Sequence, residues 1–155
     1  MHEPRLGLIS DTHGVLRPSA RRALEGCELI LHAGDVGGIE IIESLSAIAP
    51  THAVRGNTDQ GAWAAALPES EWVEWRGLSI YLIHDLADLD IDPRAAGVAI
   101  VLSGHTHQPR FVVEDGVHYW NPGSAGPRRF RLPIGLAIAT LAGDVPSATW
   151  VDVSE

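Results

Sequence analysis

Seven side chains of metal-binding type fall in five short clusters: Asp11 with His13, Asp35, Asn57, His84, and His105 with His107. Read singly, each has an ordinary structural explanation. Asp-x-His can be a helix cap beside a surface histidine, Gly34-Asp35 and Gly56-Asn57 are common turn pairs, and His84 can be a hydrogen-bonded structural histidine. Gly104-His105-Thr106-His107 says more, because alternate residues of extended chain project two imidazoles the same way. Together the set holds two carboxylates, one amide oxygen and four imidazoles. Such nitrogen and oxygen donors suit borderline ions such as manganese, iron, zinc, nickel or cobalt. Seven ligands exceed a single tetrahedral site, whereas one shared carboxylate lets them fill two sites of four. The stoichiometry points to a dinuclear centre.

The elements that must position these residues are legible in the apolar rhythm. Leu6 to Ile9 leads into Asp11, Leu29 to Leu31 into Asp35, and Thr51 to Val54 into Asn57. Leu78 to Ile83 leads into His84, and Val98 to Leu102 into His105 and His107. Short runs this rich in Leu, Ile and Val suit strands buried on both faces. Helices are expected between the early runs: one from Pro18 to Gly26, one with Ile39, Ile42, Leu45 and Ile48 on its apolar face, and a shorter one over Gln60 to Leu67. Asp92-Pro93 opens a brief turn or helix. Strand, helix, strand at this spacing predicts right-handed crossovers and parallel pairing. Ligands of such sheets bind beyond the carboxyl ends of the strands, where every cluster lies. The second half reads as hairpins turning at Arg76-Gly77, Glu114-Asp115-Gly116 and Gly143-Asp144. The expected fold is α/β, a layered sandwich of two mixed β-sheets flanked by helices, with residues 1–155 as a single domain.

Asp11-Thr12-His13-Gly14, Gly34-Asp35, Gly56-Asn57-Thr58-Asp59, His84 and Gly104-His105-Thr106-His107 stand in the order of the calcineurin-like metallophosphoesterase superfamily, which this chain resembles. It looks most like the small bacterial and archaeal phosphodiesterase branch, a likeness that extends to Asn121-Pro122-Gly123-Ser124. The resemblance implies that Asp11, His13, Asp35 and His107 bind one divalent metal ion, manganese before iron, nickel, zinc or cobalt. It implies that Asp35, Asn57, His84 and His105 bind a second, with Asp35 as the bridge. Asp35, Asn57 and His105 are the residues expected to carry catalysis. A hydroxide bridging the two ions would attack phosphorus in line.

Two positions depart from the family pattern. Thr58 stands where many members carry a histidine that helps protonate the leaving group. Asp85 stands where glycine is usual, either capping local amides or orienting a ligand histidine. His2, His32, His52 and His118 are expected to be structural or at the surface, Asp59 to serve a turn first and to support a ligand from behind second, and Ser124 to support its loop before touching phosphate or water. Trp63 is the tryptophan nearest the Asn57 loop in sequence.

Composition limits the partners. The formal charge of −9, from 20 acidic and 11 basic residues, opposes non-specific binding of duplex nucleic acid, which needs many phosphate-neutralising cations. The cluster Arg128, Arg129 and Arg131 reads first as a solvated loop and second as an anion contact beside an active site. The apolar stretch in the first ten residues is too short for a secretory signal, and no run is long enough to span a bilayer. Cys27 is the only cysteine, so no disulfide framework exists and a cytoplasmic setting is expected. The expected partner is a small phosphate ester as substrate, with no membrane; a homo-oligomer is compatible with the sequence. The alternatives are a non-catalytic metal-binding scaffold of the same fold, as one retromer subunit resembles, and a cyclic-nucleotide phosphodiesterase or nuclease. Metal-dependent amidases and deaminases fit less well, because their His-x-His pair opens the set and a lysine or cysteine ligand is common. Here the pair closes it and lysine is absent.

Overall fold

The structure, a computed structural model, describes residues 3–154; His2 lies outside them. Its backbone forms two five-stranded mixed sheets. In the first, β1 (Leu6–Ile9), β2 (Leu29–His32) and β3 (Thr51–Ala53) run parallel, with Leu8 beside Leu31 and Ile30 beside Thr51. In the second, the antiparallel hairpin β4 (Ser70–Trp75) and β5 (Leu78–Ile83) turns at Arg76-Gly77. β6 (Ile100–Leu102) pairs parallel to β5, and β7 (Arg110–Glu114) forms a hairpin with β8 (Val117–Asn121), which lies parallel to β6. The last hairpin, β9 (Gly135–Ala142) and β10 (Val145–Asp152), returns to the first sheet, where β9 pairs antiparallel with β1. The strand order is therefore β10-β9-β1-β2-β3 in the first sheet and β4-β5-β6-β8-β7 in the second.

The core has two main parts, one between the sheets and one between the first sheet and its helices. Leu6, Leu8 and Leu31 of the first sheet meet Ile80, Leu82, Ile100 and Leu102 of the second, all fully buried. Strands covered on both faces need apolar residues in succession rather than in alternation, as Leu6–Ile9 has. The helices α1 (Pro18–Leu24) and α2 (Ile39–Ser46) cover the outer face of the first sheet, burying Ala20, Leu24, Ile41 and Leu45. The outer face of the second is covered instead by a 3₁₀ turn at Leu86–Asp88 and the segment after it, through Leu86, Leu89 and Ile91.

Two helix expectations need correction. Ile41 and Leu45 are the buried residues of α2, while Ile39 is exposed and Ile42 only half-buried. A strict three-residue spacing drifts by about 60° per step around an α-helix, so Ile39 to Ile48 cannot all face one way. The third helix, α3, spans only Ala62–Ala65, opened by Gly61 at a φ of 96°. Of the turn or helix expected at Asp92-Pro93 the structure has the turn, with Asp92 Oδ1 accepting from the Ala95 amide at 3.3 Å.

Candidate metal centre

The carboxyl ends of β1, β2, β3, β5 and β6 meet, and all seven ligand-type side chains come together there. His107 Nε2 lies 3.3 Å from Asp11 Oδ1 and 3.3 Å from His13 Nε2. His13 Nε2 lies 3.8 Å from Asp35 Oδ2, which is 3.3 Å from His84 Nε2. Asn57 Oδ1 closes the series, 3.0 Å from His84 Nε2 and 3.3 Å from His105 Nδ1.

Pairing of the strands continues past their ends and sets this geometry. The amides of Asp11 and His13 donate to the carbonyls of Gly34 and Asp35, both at 2.9 Å. Asp11, His13, Asp35, His105 and His107 all have φ between 47° and 72°. Such left-handed backbone is uncommon for residues other than glycine, and here it is concentrated on the ligand set. Two glycines allow the loops to close. A Cβ at Gly56 would strike the Asp35 carboxylate, and one at Gly104 would strike Ser10 Oγ and Asp11 Oδ2.

Each carboxylate has one oxygen held by the protein and one turned to the imidazoles. Asp11 Oδ2 accepts from Ser10 Oγ at 2.6 Å and from the His105 amide at 3.0 Å. Asp11 Oδ1, by contrast, is buried with no hydrogen-bond partner. Asp35 Oδ1 accepts from the Thr58 amide at 2.9 Å, leaving Oδ2 between His13 and His84. Burial pushes the Asp35 carboxyl up, but hydrogen bonds from His84 and the Thr58 amide outweigh it and hold the group well below the usual carboxylate range. Burial likewise lowers His84, while Asp35, Asp11 and the Ala33 carbonyl raise it further, for a net upward shift. His84 Nδ1 donates to the Ala33 carbonyl at 2.7 Å, which fixes the ring and presents Nε2 to the centre.

An orphaned buried carboxylate oxygen is costly in an otherwise well-packed site. Two imidazole nitrogens 3.3 Å apart cannot both carry protons. A cation resolves both conditions, and the donors form two groups that could hold one: Asp11, His13 and His107, and Asp11, Asp35 and His84. The residues therefore fit divalent metal binding.

Comparison with known proteins agrees with this geometry. The profile of the calcineurin-like phosphoesterase superfamily domain matches residues 5–144. The chain belongs to that superfamily. It is 34% identical over 131 residues to a probable metallophosphoesterase of Methanothermobacter thermautotrophicus, covering 77% of this chain and 76% of that one. A probable metallophosphoesterase of Methanocaldococcus jannaschii is 31% identical over 163 residues, covering 97% of this chain and 82% of the relative. Among solved structures, a novel archaeal phosphodiesterase superposes with a TM-score of 0.77 at 22% identity, covering 95% of this chain and 99% of the other. At that identity the likeness shows the fold.

Within the superfamily's pattern, several supporting residues take roles that only the structure places. Asp59 is no simple turn residue. Its carboxylate is buried and accepts from the amides of Val36 (3.2 Å), Gly37 (3.0 Å) and Gly56 (2.9 Å), clamping the Asp35 loop to the Asn57 loop. The one available signal was its place in Gly56-Asn57-Thr58-Asp59. His32 is fully buried and structural: Nδ1 accepts from the Gly34 amide at 3.1 Å, so Nε2 donates to Thr12 Oγ1 at 3.0 Å. Burial holds its pKa down to about 4. Ser124 supports its loop, donating to the Asp11 carbonyl at 2.9 Å. Asn121 does similar work for the histidine loop, donating to the Gly104 carbonyl at 2.9 Å and to Thr106 Oγ1 at 3.1 Å. Asp85 caps a local amide, the first of the roles its position suggested, and stands near His105 without hydrogen-bonding it. Oδ1 caps the Ala87 amide at 3.0 Å, and Oδ2 lies 3.6 Å from His105 Nε2. His52 pairs with Glu71 at 3.4 Å, His118 sits edge-on to Trp120, and Trp63 packs against the helix-covered core. No helix among the described residues is long and apolar enough to cross a membrane.

Proposed function

We propose that this chain is a dinuclear metal-dependent phosphodiesterase. The observation that carries the reading is the pair of inward carboxylate oxygens, Asp11 Oδ1 and Asp35 Oδ2, each within 4.0 Å of imidazole nitrogens on both sides. When bound, two divalent cations, manganese foremost, supply Lewis acidity toward phosphoryl oxygens and a water made nucleophilic near neutral pH. Asp11, His13, Asp35 and His107 hold one, and Asp35, Asn57, His84 and His105 the other, with Asp35 shared. Fixed positions of these side chains lower the barrier by orientation rather than by rearrangement. In the overall reaction a water oxygen forms the new bond to phosphorus and the bond to the alcohol or phenol breaks. One water proton ends on that leaving group and the other on the phosphomonoester or solvent.

Asp35, Asn57 and His105 carry catalysis in this reading, because their inward atoms belong to the shared and second-site donors. Thr58 contributes its backbone amide to Asp35, and its hydroxyl is too weak an acid to protonate a departing alkoxide. Leaving groups that need little protonation are therefore favoured, as aryl diesters are. The archaeal phosphodiesterase of the same fold supports a diester as substrate.

The test is metal analysis of the purified protein, followed by hydrolysis of a series of aryl phosphodiesters and of p-nitrophenyl phosphate with added manganese. We expect two ions per chain, faster turnover of the diesters, and rates that fall steeply as the leaving-group pKa rises. Absence of both metal and hydrolysis would favour a scaffold role, and a flat dependence on leaving-group pKa would contradict the account of Thr58.

A further inference from the structure

The two flanks of the metal centre are opposite in charge. Beyond Asn57 and His84 opens a cleft of 470 Å³ whose walls include Glu69, Asp85, Asp88 and Asp90. Its one cation, Arg55, is paired with Glu69 at 2.7 Å. Beyond His13 and His107 opens a cleft of 230 Å³ walled by Pro127, Arg128 and Arg129. In a chain with a formal charge of −9, the basic cluster thus stands at the mouth of the site.

The loop carrying it, residues 122–134, is built rather than loose at its base. Arg17 Nη1 donates to the carbonyls of Ala125 (2.7 Å) and Gly126 (2.8 Å), and Ser124 bridges to Ile134. At the tip, the Leu132 amide donates to the Arg129 carbonyl at 3.1 Å, closing a turn around Phe130 and Arg131. Phe130 is 88% exposed with a φ of 55°. An aromatic ring held in left-handed backbone and almost wholly in solvent gains nothing from packing. Among the described residues Arg129 and Arg131 form no ion pair, whereas Arg128 Nη1 donates to the Leu132 carbonyl of its own loop at 3.3 Å. Free guanidinium forks match phosphate oxygens in bidentate geometry, and an exposed ring offers a face to a nucleobase.

Resting on the phosphodiesterase reading, we propose that the substrate is a nucleotide phosphodiester bearing a second phosphate. Arg129 holds that phosphate and Phe130 stacks on the base, while the acidic cleft opposite repels a second anion there. Free dinucleotides and the end of a single strand share this chemistry. A few arginines on one loop do not suffice for a duplex.

The test compares kcat/KM of the manganese-loaded protein on methyl p-nitrophenyl phosphate, thymidine 5′-(p-nitrophenyl phosphate), and the latter carrying a 3′-phosphate. We expect about tenfold for the base and about tenfold more for the added phosphate. Phe130→Ala should erase the first ratio and Phe130→Trp keep it; Arg129→Ala should erase the second. Arg21→Ala, a charge-matched change on α1, should keep both. Because ratios are read within each variant, losses of fold or metal cancel. Calorimetric titration with thymidine 3′,5′-bisphosphate should show binding weakened about tenfold in Phe130→Ala and Arg129→Ala. Oligothymidylates of increasing length separate the sources: an advantage that grows with length marks a strand end, and one complete at the dimer marks a free dinucleotide. Ratios near one, or ratios unmoved by these variants, overturn the proposal while methyl p-nitrophenyl phosphate is still cleaved. Failure to cleave any diester instead sinks the phosphodiesterase reading, and the calorimetry then decides the nucleotide site alone.

Discussion

The two sheets contribute unequally to the metal centre. Loops after β1, β2 and β3 deliver every candidate oxygen ligand, Asp11, Asp35 and Asn57, together with His13; loops after β5 and β6 deliver candidate imidazole ligands alone. The first group is locked from behind. Backbone bonds join the β1 and β2 loops, and the Asp59 carboxylate ties the β2 loop to the β3 loop. The second group is held through the first group and through Asn121, not by a buried carboxylate of its own. His84 donates to the Ala33 carbonyl, the His105 amide to Asp11 Oδ2, and Asn121 to the Gly104 carbonyl. The Gly104 amide donates to the His84 carbonyl at 2.9 Å, and His105 leans on Asp85 at 3.6 Å with its side chain 42% exposed. Carboxylates need this locking, because a buried anion without fixed donors is expensive. A neutral imidazole needs only one hydrogen bond to choose its tautomer.

The contrast can be broken at three points. The largest effect should come from Asp35→Ala, which removes the oxygen ligand proposed to be shared: turnover of an aryl diester should fall by about 10³-fold or more, and metal analysis should show loss at both proposed sites. Near-normal turnover would mean that Asp35 bridges nothing.

Next in size is a pH effect confined to the first sheet. His32 has a folded pKa of about 4 against an ordinary 6.5, so the unfolded chain binds the extra proton and the folded chain does not. Its contribution is complete above about pH 6.5 and is lost as pH falls toward about 4, about 3 kcal/mol in all. Urea titrations of the metal-free protein should show stability declining across that window, with a flatter profile in His32→Gln. Parallel profiles for the two proteins would remove His32 from the locking of this sheet.

The smallest effect belongs to the second sheet. Asp85→Ala should weaken metal binding only a few-fold, because it frees a half-exposed His105 without removing a ligand. Metal-binding isotherms check this. A loss as deep as that of Asp35→Ala would show the imidazole half to be as tightly specified as the oxygen half.

Much of the site was readable along the chain because the relevant signals are short in range. An apolar run followed by Gly-Asp or Gly-Asn marks a strand and its turn within a few residues, so Asp11, His13, Asp35, Asn57, His84, His105 and His107 could be named together. The supporting role of Asp59 is only the second reading along the chain, since a carboxylate two residues after Asn57 looks like turn chemistry until its three amide partners, two of them more than twenty residues away, are known. The helix face of α2 was misjudged because a spacing of three only approximates the α-helical period.

What the amino-acid sequence determined alone was local: which residues bear ligand atoms, that each ends a buried strand, and that no cysteine or lysine joins the set. Tertiary structure decided the rest. It set β9 beside β1, turned five of the candidate ligands into left-handed backbone, left Asp11 Oδ1 without a partner, and brought Arg128 and Arg129 to the mouth of the site. Propensity and periodicity act over one turn or one strand, whereas the closing of two sheets depends on contacts between residues far apart in the chain.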